Sequence, residues 1–148
     1  MTLGSPTSAN SDVRVLTVDD QAVFRGVARD VIDATPGFEA VGEAASGAEG
    51  LEAVERLSPQ LVLLDVRMPG IDGIEVARRL VVTHPETVVV LISIEERIDV
   101  PSAALLDTVP LVRKQDFGPR LLRRLWKEHG PAGQRAGESS PAGGGRSG

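Results

Sequence analysis

The sequence contains no cysteine, which excludes a disulfide framework, a thiolate metal site and a cysteine nucleophile. Aromatic residues make up only 3% of the chain against 41% hydrophobic residues, so the core has to be built from aliphatic side chains. No apolar run approaches the roughly 18 residues that a membrane span needs. Residues 1–11 also lack the basic and apolar regions of a signal peptide. These absences predict a cytoplasmic protein with no membrane contact.

A basic surface is missing as well, because the net charge is −5 and the isoelectric point is near 5. Nucleic-acid binding is therefore not expected as the main function. At 148 residues the chain is long enough for one domain with its own core. Residues 1–11 and the Gly/Pro/Ser-rich residues 130–148 have little to bury. We expect a flexible N-terminal segment, a domain over residues 12–129 and a disordered tail.

Within this domain, short apolar runs alternate with amphipathic stretches. The apolar runs predict β-strands at residues 13–18, 38–43, 61–64, 87–92 and 109–112. The amphipathic stretches predict a helix at residues 22–34, one capped by Ser46, one capped by Asp72, a short one at 101–107 and a last one opened by Pro119. Continuous apolar strands between such helices are typical of a parallel sheet covered on both faces, so the fold class is α/β.

Three aspartates stand where apolar runs end, namely Asp19, Asp20 and Asp65. Burying a carboxylate is costly unless something charged binds beside it. Parallel sheets bind ligands at the carboxyl ends of their strands, where three carboxylates would suit a divalent cation. Taken alone, Asp19 and Asp20 fit a helix N-terminus equally well. Ser93 fits the start of a loop, and Lys114 fits an ordinary surface position.

Taken together, these residues resemble the receiver domain of bacterial two-component response regulators. The resemblance covers about residues 13–128 and rests on residues 18–21 (VDDQ), residues 64–73 (LDVRMPGIDG), Ser93 and Lys114, in the family's order and spacing. It implies a flavodoxin-like (CheY-like), doubly wound sheet of five parallel strands in the order 2-1-3-4-5. The first two thirds are most similar to receivers of the LuxR/NarL-type group. Those regulators normally carry a DNA-binding helix-turn-helix domain. Here only the Gly/Pro-rich tail follows the last predicted helix, so we expect a stand-alone receiver without that domain.

The resemblance also implies a role for each motif residue. Asp65 would be the phosphoacceptor, and Ser93 and Lys114 would contact the phosphoryl oxygens. The protein would then be no enzyme in its own right, but a phosphoacceptor that assists its own phosphorylation and dephosphorylation. Mg²⁺ would be bound by Asp19, Asp20, Asp65 and the backbone carbonyl of Arg67.

The partners implied are a histidine kinase and an output protein of unknown identity. The kinase would dock at the start of the first helix, where Phe24 either contributes to the docking surface or simply packs on the core. A homodimer through the fourth helix, the fifth strand and the last helix is a further expectation.

Several positions depart from the family pattern. Leu111 stands where many receivers carry a tyrosine or phenylalanine that reports the phosphorylated state, and Ile94 stands where a small residue is usual. The region 94–108 lacks the usual Ala-Gly turn. These departures favour the alternative of a receiver-like interaction module that works without phosphorylation. Arg67 and Glu95 should flank the site and slow hydrolysis of the acyl phosphate.

A third hypothesis is a phosphohydrolase with an aspartate nucleophile, as in dehalogenase-like phosphatases. Those enzymes typically need a second aspartate two residues after the first, and here that position is Arg67. The sequence therefore disfavours a hydrolase.

Overall fold

The computed structural model of the protein describes residues 12–94 and 108–131. Its strands are β1 (Val13–Val18), β2 (Phe38–Ala44), β3 (Leu61–Asp65), β4 (Val88–Ser93) and β5 (Leu111–Arg113). Its helices are α1 (Ala22–Ala34), α2 (Gly47–Leu57), α3 (Gly73–Thr83) and α4 (Pro119–His129). The expected N-terminal segment, the short helix at 101–107 and the tail beyond residue 131 lie outside the described residues. None of the helices in the described ranges is long and apolar enough to cross a membrane.

The five strands are all parallel and form one sheet in the order β2-β1-β3-β4-β5. This order confirms the doubly wound, flavodoxin-like fold. Side chains alternate along each strand, so the sheet buries two apolar layers. Helices α2 and α3 cover one layer, called here the α2/α3 face, and α1 and α4 cover the other, called the α1/α4 face.

Helices α2 and α3 begin at the caps that the sequence predicts. Ser46 Oγ accepts a hydrogen bond from the backbone N–H of Glu49 at 3.1 Å, and Glu49 Oε1 accepts one from the N–H of Ala45 at 2.9 Å. Asp72 Oδ1 accepts a hydrogen bond from the N–H of Glu75 at 3.0 Å. These bonds satisfy N–H groups that have no partner within the helix. The caps fix where the loops at the carboxyl edge of the sheet end.

Helix α1 carries two neighbouring apolar stripes, one of valines and one that begins with Phe24, and only the second faces the sheet. Phe24, Ala28 and Ile32 are buried, whereas Val23 is 82% exposed and Val27 47% exposed. The sequence leaves the choice open because both stripes have helical spacing. The stripe that packs on the sheet is the one that carries the phenylalanine.

Strand β5 is shorter than predicted and lies later in the chain, at residues 111–113 instead of 109–112. Pro110 has no N–H to donate, but its carbonyl accepts a hydrogen bond from the N–H of Leu91 at 2.9 Å. The ladder therefore starts at Leu111, the residue after Pro110, and pairs Arg113 with Ser93. As a result, Lys114 leaves the sheet beside the end of β4.

Candidate functional site

The predicted site residues meet at the carboxyl edge of the sheet. Asp19 and Asp20 follow β1, Asp65 ends β3, Ser93 ends β4 and Lys114 follows β5. Parallel strands end at the same edge, which brings residues far apart in sequence together. A cavity of about 130 Å³ opens there, and its lining residues are Asp20, Gln21, Asp65, Arg67, Ser93, Ile94 and Lys114.

The backbone around Asp65 is fixed on both sides. Asp65 pairs with Ile92 of β4, and the N–H of Val66 donates to the Ile92 carbonyl at 2.9 Å. The N–H of Gly73, the first residue of α3, donates to the Val66 carbonyl at 2.9 Å. A Cβ at Gly73 would collide with the Asp65 carbonyl oxygen, so glycine lets the helix approach this closely. The Asp65 carboxylate is thus presented from a rigid strand end.

Asp19 is fully buried, and its charge is contacted by neighbouring groups. Its Oδ1 accepts a hydrogen bond from the N–H of Gln21 at 2.8 Å. Its Oδ2 lies 2.6 Å from Lys114 Nζ, as an ion pair whose angles are not those of a hydrogen bond. Arg25 Nη1 donates to the Asp19 backbone carbonyl at 2.7 Å and anchors the start of α1 to this edge. The sequence analysis did not anticipate the part played by Arg25.

Lys114 reaches into the site from the opposite side. Its Nζ is 3.7 Å from Asp65 Oδ2, and its side chain is only 8% exposed. The same ammonium lies 4.7 Å from the centroid of the Phe24 ring. Phe24 in turn packs against Phe117, with ring centroids 6.2 Å apart. No sequence motif predicts this ring contact, although two of only three phenylalanines stand a few residues beyond Asp20 and Lys114.

The donor atoms fit a hard divalent cation. One carboxylate oxygen from each of Asp19, Asp20 and Asp65 lies within 4.8 Å of the others, and Asp20 is exposed to solvent. Asp19 Oδ2 accepts no hydrogen bond from the described part of the chain. A buried carboxylate oxygen of this kind is the ligand that Mg²⁺ prefers. The Arg67 carbonyl as a further ligand stays a prediction.

Burial raises the pKa of the Asp65 carboxyl from 3.8 to about 6. Burial is the largest cause of this net shift, and the neighbouring charge of Asp19 acts in the same direction. The Lys114 ammonium and the N–H of Arg67, 3.4 Å from Asp65 Oδ1, lower the pKa, and the charge of Asp20 raises it by a smaller amount. At neutral pH the group is therefore ionised, but at a cost that a bound cation would relieve.

The positions that depart from the family pattern surround this core. Ser93 is buried and lines the cavity, while Ile94 is 66% exposed at its rim. Leu111 is half-buried against the α2/α3 face. Glu95 lies outside the described residues, and so does the predicted contact with Arg67.

Comparisons with known proteins match most of the chain, including all the residues of the candidate site. The family model described as response regulator receiver domain matches residues 15–125. A protein-glutamate methylesterase/protein-glutamine glutaminase of Myxococcus xanthus is 36% identical over 111 residues, which are 74% of this chain and 31% of that protein. Response regulator GacA of Pseudomonas viridiflava is 42% identical over 94 residues, which are 63% of this chain and 44% of that protein. The chain thus spans less than half the length of these curated relatives.

Solved structures agree with the sequence relatives. The crystal structure of the response regulator domain of Thermotoga maritima CheB superposes with a TM-score of 0.67 at 30% identity, covering 78% of this chain and 95% of that domain. The segment matched by the family model contains all three aspartates, the serine and the lysine of the carboxyl edge. The chain belongs to the response regulator receiver domain family of two-component systems.

Proposed function

We propose that this receiver accepts a phosphoryl group on Asp65 from a histidine kinase, with Mg²⁺, and signals through contacts with an output protein. The observation that carries this proposal is the arrangement around Asp65. A buried carboxylate on a strand end faces a lysine ammonium at 3.7 Å and has an oxygen within 4.8 Å of an oxygen of each of two further carboxylates. Such a site combines a nucleophile, a cation site and a fixed positive charge.

The chemistry follows from these groups. A carboxylate oxygen of Asp65 attacks phosphorus and forms a new O–P bond in line with the bond that breaks. That bond joins phosphorus to the histidine nitrogen of the kinase, and its electron pair stays on the nitrogen. Lys114 and the hydroxyl of Ser93 contact the phosphoryl oxygens, whose charge they stabilise. Mg²⁺, when bound, neutralises the carboxylates and orients the phosphoryl group.

Kinase docking at the start of α1 is part of this proposal, and the exposure pattern refines it. Phe24 is buried, so the side chains available to a partner next to the cavity are Gln21, Ala22 and Val23, all exposed. An exposed valine beside a polar rim suits a helical partner surface. The proposed homodimer includes the fourth predicted helix, which lies outside the described residues.

The alternative, a receiver-like module that works without phosphorylation, is supported by Leu111 and Ile94. Leu111 fills space at the edge of the core but has no hydroxyl to change partners when Ser93 moves. Ile94 presents an exposed branched side chain at the cavity rim. Both residues alter how a phosphoryl group would be reported or reached. Neither removes a group that the transfer itself needs.

The deciding experiment is phosphorylation by acetyl phosphate with Mg²⁺, followed by a Phos-tag gel and intact-mass measurement. Wild type should gain one phosphoryl group, and Asp65→Asn should gain none. Asp72→Asn is the matched control, because it is the same substitution at an exposed N-cap where asparagine serves equally well. Failure of wild type to gain a phosphoryl group, with donor and Mg²⁺ in excess, would leave the phosphorylation-independent module as the function.

A further inference from the structure

We propose that Phe24 is a positioning residue, whose ring holds the Lys114 ammonium over the site while the charges around it change. This inference rests on the proposed phosphorylation of Asp65 and deepens it. Its basis is the 4.7 Å distance between Lys114 Nζ and the centroid of the Phe24 ring. A cation within about 6 Å of an aromatic face is attracted by the ring quadrupole, and more strongly where water is excluded. Both side chains are largely buried, at 8% and 9% exposure.

The position of the ring is set from two elements. Phe24 lies on the buried stripe of α1, and Phe117 lies on the turn that follows β5. The N–H of Phe117 donates to the carbonyl of Lys114 at 3.1 Å, so one tight turn presents both the lysine and the second ring. The two rings meet at 55°, a tilted arrangement that aromatic pairs favour. The Phe24 face is thereby kept turned toward the ammonium.

An aliphatic residue would fill the same volume, and elsewhere this chain uses one. The α2/α3 face is closed without any aromatic side chain in its described part. Two of the three phenylalanines of the chain instead meet next to the one buried lysine of the described residues. Packing alone therefore does not require an aromatic ring at this position. A ring does, however, give the ammonium a contact that persists while the anions around it change.

The other partners of Lys114 are charged groups that the reaction alters. Phosphorylation converts the Asp65 carboxylate into an acyl phosphate, whose bridging oxygen is uncharged, and adds anionic phosphoryl oxygens. A cation bound to Asp19 would compete for the oxygen that lies 2.6 Å from Nζ. The ring is uncharged, and neither change affects its attraction for the ammonium. Phe24 would therefore hold Nζ over the site, within reach of the phosphoryl group, when its contact with Asp19 is lost.

The contact can be measured without any donor or metal, because the chain contains only two lysines, Lys114 and Lys127. Protein made with ¹³C-lysine gives two sets of ε-methylene signals, and Lys127→Arg assigns them. Lys127 is exposed on α4 and is the internal reference. The ring current should place the Lys114 ε-protons upfield of those of Lys127. Coincident signals in wild type would overturn the proposal before any site variant is made.

Substitutions then separate positioning from packing. Phe24→Leu should lose the upfield shift and lower the rate constant for phosphorylation by acetyl phosphate roughly fivefold. Phe24→Tyr should restore both, since it keeps the aromatic face. Phe38→Leu is the matched control: it is the same change on the α1/α4 face, at the opposite, amino end of the sheet. It should alter thermal stability alone.

Two results contradict the proposal. One is Phe24→Leu and Phe38→Leu slowing phosphorylation equally, which would mean that packing alone matters. The other is an unchanged rate in a Phe24→Leu variant that has lost the upfield shift. A wild-type protein that takes up no phosphoryl group would refute the proposed function and, with it, this role for Phe24. The NMR signals would still establish whether the ring–ammonium contact exists.

Discussion

The two faces of the sheet are built from different side chains. All four aromatic residues of the chain, Phe24, Phe38, Phe117 and Trp126, belong to the α1/α4 face. The described core of the α2/α3 face consists of leucine, valine, isoleucine, alanine and methionine. The central strands β1, β3 and β4 are buried almost throughout between the two faces, so the difference is not one of core size.

This difference shows which core residues also contact the residues of the candidate site. The α1/α4 face extends to the carboxyl edge through Phe24 and Phe117, and Phe24 contacts the ammonium that lies between two carboxylates. The α2/α3 face reaches the same edge through the buried, uncharged side chains of Val66 and Met68, and through the close approach of Gly73 to the Asp65 carbonyl. A substitution on the first face near the carboxyl edge should therefore affect both stability and the site. One on the second face should affect mainly stability.

The largest expected effect comes from the edge that both faces border. Asp65→Asn should abolish phosphorylation and, without divalent cations at pH 8, raise the free energy of unfolding by about 1–3 kcal/mol. The gain arises because the substitution removes a carboxylate whose pKa burial raises to about 6. Urea titrations of the two proteins in EDTA measure it. A destabilised variant would mean that the charge is well compensated without metal.

A pair of truncations tests the difference between the faces directly. Phe117→Ala on the α1/α4 face should lower the free energy of unfolding by about 3–5 kcal/mol, and Leu80→Ala on the α2/α3 face by about 2–5 kcal/mol. Both side chains are buried. Phosphorylation measured well below each melting temperature should slow only for Phe117→Ala. Equal slowing in both variants would erase the distinction between the faces.

The pH dependence of stability should carry the signature of Asp65. The pKa of Asp65 is about 6 in the folded protein and 3.8 ordinarily. Between pH 3.8 and pH 6 the folded state therefore binds a proton that the unfolded state has lost. Stability from this group is therefore highest below pH 4 and falls as the pH rises through 6. In EDTA, the stability of wild type relative to Asp65→Asn should fall by about 2–3 kcal/mol between pH 4 and 7.5. A difference that stays constant with pH would contradict a raised pKa.

Cation binding should give a stability shift of similar size, without any change to the folded chain itself. Mg²⁺ at 100 times its dissociation constant should stabilise wild type by about 2.7 kcal/mol, seen as a higher melting temperature. Asp20→Ala should lose most of this gain, because the family pattern makes Asp20 a direct ligand. Asp30→Ala, which removes an exposed acid of α1, is the control and should retain it. If the two variants respond alike to Mg²⁺, the cation binds elsewhere.

Much of the fold follows from local sequence signals. Apolar runs place the first four strands to within one residue at each end, and the oxygens of Ser46 and Asp72 set the starts of α2 and α3. The family resemblance gives the strand order. The meeting of the three aspartates, Ser93 and Lys114 follows once the strands are parallel. The individual roles of these residues, and the proposed domain boundaries, stay predictions.

What the sequence could not give depends on tertiary packing. Two apolar stripes of α1 have the same period, and only the sheet decides that Phe24 is buried and Val23 exposed. The length of β5 depends on its hydrogen bonds to β4: Pro110 has no N–H to donate, and only its carbonyl bonds the N–H of Leu91. The ring–ammonium contact joins Phe24 of α1 to Lys114 after β5, 90 positions apart in the chain, and no local sequence pattern connects the two.

Trp126 is the only tryptophan, and the chain contains no tyrosine. It lies on α4, half-buried against the α1/α4 face. Ultraviolet-excited emission of the unlabelled protein therefore comes from a single indole, with no tyrosine background to subtract. The molecule carries its own optical probe, and that probe is attached to the face whose rings reach the phosphorylation edge. Stopped-flow fluorescence would follow the environment of α4 during phosphorylation without any dye. Events confined to the α2/α3 face would leave the tryptophan emission unchanged.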